Sequence, residues 1–196
     1  MGFDLHGCTI GIIGTGRIGM VFAQIMHGFG CSLLGYDKLP NPQFEVIGAA
    51  KYVDLPELLA SSEVISLHCP LTQESHYLIN AEAIAQMKPG VMLINTSRGG
   101  LVDTKAVIAG IKSVKIGYLG IDVYEQEADL FSEDLSNAII QDDDFQLLKS
   151  FPNVVITVHQ AFFTQNALGT IAATTIANIT DFEQGRILIN QVKRSG

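Results

Sequence analysis

The segment Gly14-Thr15-Gly16-Arg17-Ile18-Gly19 constrains this chain more than any other. It follows the apolar run Thr9-Ile10-Gly11-Ile12-Ile13 and precedes Met20-Val21-Phe22-Ala23, so it reads as a strand, a glycine turn and a helix start. Gly14 permits the tight turn, Gly16 lets the backbone approach a pyrophosphate, and Gly19 lets the helix lie against the strand. The N–H groups of the first helical turn then face an anion, and a dinucleotide fits that geometry. Glycines are common in loops, and an ordinary tight turn is the competing reading. The next apolar run, Ser32-Leu33-Leu34-Gly35-Tyr36, however, ends at Asp37. A carboxylate there can accept both hydroxyls of an adenosine ribose; the alternative is a solvated turn residue. Opposite a 2′-phosphate it would meet repulsion on the order of 4 kcal/mol, for charges about 4 Å apart at an effective dielectric near 20. NAD is therefore favoured over NADP, with Lys38, next in the chain, a cation that could soften the penalty.

Short apolar runs alternate with helical patterns from end to end, the signature of βαβ units and a parallel sheet. The fold expected is α/β: a doubly wound, mostly parallel Rossmann-type sheet with a long crossover helix at the C-terminus. Strands are expected at 8–13, 31–36, 64–69, 91–95, 116–121 and 154–157, and helices at 17–28, 55–60, 81–87 and 104–111. Two regions depart from the rhythm. Residues 125–144 are strongly acidic and end in Asp142-Asp143-Asp144, which reads as a solvated excursion with a helix start rather than a metal site. Residues 164–184 form one long helical pattern followed by Gly185, and its even spread of apolar residues expects a partner surface. The boundaries expected are a dinucleotide-binding domain over 1–162 and a helix with tail over 163–196.

The chain has 196 residues, 47% hydrophobic and 16% charged, which describes a globular protein with a buried core. A net charge of −8 without a Lys/Arg cluster argues against nucleic acid as a partner. No signal peptide or membrane-spanning stretch is visible, and Cys8, Cys31 and Cys69 lack the spacing of a zinc site or a disulfide framework. A cytoplasmic protein without metal is the expectation.

Parallel strands deliver their C-terminal ends to one edge of the sheet, where ligands bind. At that edge lie Thr96-Ser97-Arg98-Gly99-Gly100 after the fourth strand, Asp122 after the fifth with Glu127 further on, and His159 after the last. Reduction of a 2-oxo acid needs a cation for the carboxylate and carbonyl, which Arg98 supplies, and a proton donor, which His159 supplies. Glu127 beside the imidazole would orient it and raise its pKa, and Asp122 would orient the nicotinamide carboxamide. Each residue also has a structural reading: Arg98 paired with Asp103, Asp122 capping a helix, Glu127 one charge of the acidic stretch, His159 a satisfied core histidine. His6, His27, His68 and His76 have no such company and read as structural or solvent-facing.

These motifs, together with His68-Cys69-Pro70-Leu71-Thr72, Gly120-Ile121-Asp122-Val123-Tyr124-Glu125 and His159-Gln160-Ala161-Phe162, resemble the D-isomer-specific 2-hydroxyacid dehydrogenases over nearly the whole chain and in family order. Within that family the His-Gln-Ala-Phe form and the long acidic stretch are similar to D-lactate dehydrogenases. The resemblance implies NAD as cofactor and a small 2-oxo or 2-hydroxy acid as substrate. It implies Arg98 for substrate and Glu127 paired with His159 as acid/base. Cofactor contacts fall on Gly14, Gly16, Arg17, Ile18, Gly19, Asp37, Thr96 and Asp122, with Cys69 and Pro70 on the adenine side.

Family members begin with a substrate-binding segment ahead of the first cofactor strand, and that half is missing from this sequence, which is expected to act as a truncated, inactive or weakly active member. A homodimer through the cofactor domain is open. Alternatives are a non-catalytic NAD-sensing interaction module of the same fold, or a glyoxylate/hydroxypyruvate reductase or phosphoglycerate dehydrogenase of the same family.

Overall fold

The computed structural model describes residues 2–126 and 142–192. Seven parallel strands form one sheet: β1 (Thr9–Ile13), β2 (Ser32–Tyr36), β3 (Lys51–Tyr52), β4 (Val64–Leu67), β5 (Val91–Asn95), β6 (Ile116–Ile121) and β7 (Val154–Ile156). They lie in the order β3-β2-β1-β4-β5-β6-β7. The chain winds outward from β1 through β2 and β3, then returns across β1 and winds the other way. The doubly wound α/β sheet expected from the alternating pattern is therefore the one observed, with its switch point between β1 and β4.

The helices between strands are α1 (Arg17–Gly28), α2 (Leu55–Ser61), α3 (Ala81–Gln86), α4 (Thr104–Lys112) and α5 (Asp143–Ser150). Their side chains cover both faces of the sheet, and the period-2 alternation of the strands sorts the core accordingly. Ile10, Ile12, Leu33 and Val64 join Ala23 and Phe44 in one cluster, whereas Ile13, Leu34, Ile65 and Leu67 join Leu58, Leu59, Ile84 and Leu93 in the other. Burying a side chain of this size stabilises by about 1.5–3 kcal/mol, so neighbouring residues of β1 hold opposite layers in place.

One element differs from expectation. The strand β3 was not anticipated, because Lys51–Tyr52 is too short to show alternation; it exists because Val53 N–H and the ladder to Leu34 and Gly35 extend the edge. The helix start expected at Asp142-Asp143-Asp144 is present and opens α5, and the acidic residues 127–141 ahead of it lie outside the described residues. Asp142 caps it by accepting the Phe145 N–H through Oδ1 at 2.8 Å, and Asp143 and Asp144 sit favourably in its first turn. Asp142 Oδ2 also accepts the Tyr124 hydroxyl at 2.8 Å, although Tyr124 is itself buried.

Residues 1–159 and 160–196 form separate compact units. The second carries α6 (Gln165–Glu183), started by Thr164, whose hydroxyl accepts the Ala167 N–H, and ended where Gly185 turns into the left-handed region. None of the α6 residues is buried. No helix of the described residues is long and apolar enough to cross a membrane.

Because one carboxylate both caps α5 and satisfies a buried phenol, Asp142→Ala is expected to destabilise the domain by about 2 kcal/mol, the sum of a lost cap and an unsatisfied hydroxyl. Urea denaturation of the single variant and of Asp142→Ala/Tyr124→Phe checks this, with the second substitution recovering part of the loss.

Candidate active site

The crevice at the switch point is built from backbone. Gly14 has φ +98, and a Cβ there would lie 2.4 Å from the Cys69 nitrogen; a Cβ on Gly19 would lie 2.0 Å from the Gly14 carbonyl oxygen. Both glycines are demanded by the protein's own packing of β1, β4 and α1. Gly16 is different: it is exposed, its backbone is extended, and a Cβ would meet nothing within 4 Å. Its bareness leaves open space directly at the N-terminus of α1, where no side chain caps the helix and no acidic residue sits in the first turn. Arg17 and Ile18 are exposed beside it. Free N–H groups, a positive helix end and a cationic side chain around a bare glycine fit a pyrophosphate.

Asp37 follows β2 and reaches the same loop. Its Oδ2 accepts the Thr15 N–H at 2.6 Å and the Thr15 hydroxyl at 3.1 Å, and Oδ1 accepts the Leu39 N–H at 2.9 Å. The Thr15 hydroxyl also meets the Tyr52 hydroxyl at 2.6 Å, and Tyr52 accepts the Asn41 N–H at 2.7 Å. A carboxylate has about four acceptor sites, so these bonds orient it and leave capacity for a ligand hydroxyl. Thr15 and Tyr52 are positioning residues that sequence reasoning missed. Thr15 carried a signal, a polar side chain between two glycines; Tyr52 carried none, since it depends on the unanticipated β3. Cys69 is half-buried against Gly14, its thiol pushed up by burial, and its carbonyl accepts the Ser97 hydroxyl at 2.7 Å; Pro70 is exposed.

The neighbouring strand ends carry the groups suited to chemistry. Asn95 closes β5 and is almost fully buried. Its amide donates to the Arg98 carbonyl at 2.9 Å and its Oδ1 accepts the Ser97 N–H at 3.1 Å, so it folds the Thr96–Arg98 turn back on the strand. The Asn95 carbonyl accepts the Asp122 N–H at 3.0 Å, and the Asp122 carbonyl accepts the His159 N–H. One run of hydrogen bonds thus joins the Arg98 turn to the His159 backbone across the ends of β5, β6 and β7. Buried Asp122 also accepts the Thr157 hydroxyl through Oδ1. Strands β5 and β7 are two spacings apart, about 10 Å, which a small acid and two long side chains can bridge.

Arg98 and Thr96 are exposed, and the Arg98 guanidinium donates to the Ser97 carbonyl at 2.7 Å. The alternative pairing with Asp103 is not made: Asp103 instead caps α4, accepting the Lys105 and Ala106 N–H groups. Among the described residues, Asp122 caps no helix. His159 is exposed rather than a core histidine, and both it and Val158 have left-handed backbones, φ +56 and +47. For non-glycine residues, and for β-branched Val158 above all, this costs about 1–3 kcal/mol each, and the bonds through Asp122 help hold the turn there. Glu127 lies outside the described residues. Glu125 lies within them, and its two oxygens accept the Tyr77 and Thr104 hydroxyls, the latter at 3.1 Å; the carboxylate pushes the Tyr77 phenol up to about 12. Asn95 and Ser97 were missed as positioning residues, and the available signal was a polar pair closing an apolar strand.

Of the remaining histidines, His68 is structural. It packs on the Phe22 ring at 4.9 Å and meets the Ser66 hydroxyl through Nε2 at 3.0 Å, and burial pushes its pKa down to about 4.

A glycine cradle at a switch point, a carboxylate closing the second strand and polar strand ends define a dinucleotide-binding domain of the doubly wound type. Residues 1–161 match the model of the D-isomer specific 2-hydroxyacid dehydrogenase NAD-binding domain, and the chain belongs to that family. It is 52% identical over 192 residues to a 2-hydroxyacid dehydrogenase homolog of Haemophilus influenzae and 50% identical over 191 residues to the D-lactate dehydrogenase of Escherichia coli. These alignments cover 98% and 97% of this chain and 58% of each relative. The solved structure of the pyruvate reductase of Chlamydomonas reinhardtii superposes with a TM-score of 0.91 at 45% identity, covering 97% of this chain and 58% of that one. The chain thus spans little more than half the length of the proteins it matches. Their oxidoreductase names do not favour the non-catalytic sensing module.

The two kinds of glycine separate experimentally. Gly16→Ala is expected to leave unfolding free energy within about 0.5 kcal/mol while weakening NADH binding about ten-fold or more, the equivalent of one lost charge-assisted hydrogen bond. Gly19→Ala is expected to unfold or severely destabilise the domain. Thermal melts with NADH titration check both. His68 gives a pH signature: its folded pKa near 4 lies below the unfolded 6.5, so the stability it confers is full above pH 6.5 and is lost as pH falls toward 4. Between pH 7 and 5 the loss is up to about 2 kcal/mol, and urea melts of His68→Asn are expected to show a flatter dependence over that window.

Proposed function

We propose that this chain binds NAD(H) at the Gly14–Gly19 loop and forms the cofactor half of a dehydrogenase that interconverts a 2-oxo acid, pyruvate foremost, and its D-2-hydroxy acid, D-lactate. The observation that carries this reading is the hydrogen-bonded run from the Arg98 turn through Asn95 and Asp122 to His159, beside the crevice. The names of the reported relatives point the same way.

When bound, the reduced dinucleotide would supply a hydride for the carbonyl carbon. Arg98 binds the carboxylate and the carbonyl oxygen, offsetting the negative charge that grows there. The His159 imidazolium gives its proton to that oxygen, and in the oxidation direction the neutral ring takes it back. Asp122 orients the carboxamide and Thr96 completes the cofactor contacts at this edge, while Asp37 accepts the ribose hydroxyls and Cys69 and Pro70 line the adenine side. Glu127 is the partner that orients the imidazole, a role Glu125 is poorly placed to take with both oxygens engaged by Tyr77 and Thr104. Residues 1–162 act as the cofactor domain, and 163–196 return to a substrate domain.

A homodimer through this domain is supported by the exposed row Ile18, Val21 and Ile25 along α1, continued by Phe29 at its C-cap, at spacings that share one helix face. A cytoplasmic setting fits the reduced cysteines.

The 196-residue chain is expected to bind NADH yet reduce pyruvate poorly or not at all, measured by fluorescence titration and an NADH oxidation assay; robust turnover would contradict the need for a second half. Joined to a substrate domain, His159→Ala is expected to lose roughly 10² to 10⁴ in reduction rate. Glu127→Gln is expected to lower the reduction rate while leaving NADH binding unchanged, because the imidazole loses the carboxylate that orients it. Pyruvate reduction and NADH titration check both, and an unchanged rate for Glu127→Gln would reassign the carboxylate.

A further inference from the structure

Strands β2 and β4 flank β1 on either side, so the segments that follow them rise on the two sides of the glycine loop. The first carries Asp37 and Lys38, the second Glu74. Across this gap the Lys38 ammonium forms an ion pair with the Glu74 carboxylate. Arg17, the loop's own cation, sits at the α1 N-terminus where a pyrophosphate belongs. Lys38 is therefore the cation placed to answer a charge on the adenosine ribose, and it is already engaged.

We propose that Glu74 is a specificity-determining residue for dinucleotide choice: by holding the Lys38 ammonium away from the ribose, it leaves Asp37 to reject a 2′-phosphate without relief. This rests on the reading of the crevice as an NAD site. Asp37 alone disfavours the phosphate by like-charge repulsion, and an adjacent free lysine would cancel part of that field. Glu74 removes the cancellation twice over, by occupying the lysine and by adding a second negative charge to the same rim. Both partners are largely exposed, at 58% and 73%, so the effect is moderate and falls with salt.

The chain contains no tryptophan, so the fluorescence of a reduced nicotinamide reports binding without interference. Dissociation constants for NADH and NADPH are to be measured on the 196-residue chain, on Glu74→Gln and on Lys38→Gln/Glu74→Gln, at low and at high salt. The wild type is expected to prefer NADH. Glu74→Gln is expected to tighten NADPH about five-fold, the size of one exposed ion pair, with NADH changed less than about two-fold. The double variant is expected to lose most of that gain, and high salt to shrink it. An unchanged NADPH-to-NADH ratio in Glu74→Gln overturns the proposal, as does a gain that survives whole in the double variant. If the wild type binds NADH and the ratio does not move, the specificity role alone fails; if the wild type binds neither nucleotide, the NAD reading fails and takes this inference with it.

Discussion

The close approach of β1 and α1 sets the geometry on which the rest of the domain depends. The Gly14 carbonyl oxygen lies where a Cβ of Gly19 would stand, and the Gly14 α-carbon lies against the backbone of Cys69 at the end of the β4 segment. Three backbones therefore meet without an intervening side chain, which seats the first turn of α1 directly over the end of β1. A helix displaced by the width of one methyl group would aim its free N–H groups elsewhere. The same contact buries Gly14, Thr15 and Gly19 while leaving Gly16, Arg17 and Ile18 open, so one short segment is half core and half binding surface.

The other end of the crevice uses a different device. Strands β5, β6 and β7 stop in register, and polar groups prolong their hydrogen bonding past the last strand residues, from Asn95 to Asp122 to His159. Asn95 is worth its burial because both bonds of its side-chain amide fix a turn rather than a strand. The left-handed pair Val158 and His159 stores strain of a few kcal/mol, comparable to the burial of one or two aliphatic side chains of the adjoining core. A sheet with both faces covered can hold such a turn, because the strand leading into it cannot shift without disturbing two layers.

How much of this was legible in the sequence follows the length scale of each signal. The doubly wound order, the glycine turn, Asp37 at the end of β2 and the polar strand ends were readable, since each is a local pattern whose meaning the parallel sheet fixes. Strand β3 was not, because two residues at an edge are held by their neighbour rather than by their own alternation. Tyr52 was lost with it, and so was its bond to Thr15. The Arg98–Asp103 pairing failed for a physical reason: Asp103 spends its carboxylate on the N–H groups of α4, which a sequence reading of opposite charges does not weigh. The pairing of Lys38 with Glu74 joins segments far apart in the chain, and only the flanking of β1 by β2 and β4 brings them together.

Charge presents a final constraint. A chain of net charge −8 repels anionic ligands, a dinucleotide among them, at long range. At physiological ionic strength, however, that field fades over about 8 Å, and within this distance only local groups matter. The molecule places its favourable groups there: the uncapped end of α1 with Arg17 beside it, and Arg98 on a turn fixed by buried Asn95. Among the described residues, the carboxylates near the crevice carry bonded duties, Asp37 on Thr15, Glu74 on Lys38, Asp122 on Thr157 and Glu125 on Tyr77 and Thr104. Discrimination among anions then rests on which carboxylate stands within a few ångströms of each ligand oxygen rather than on the overall sign of the protein.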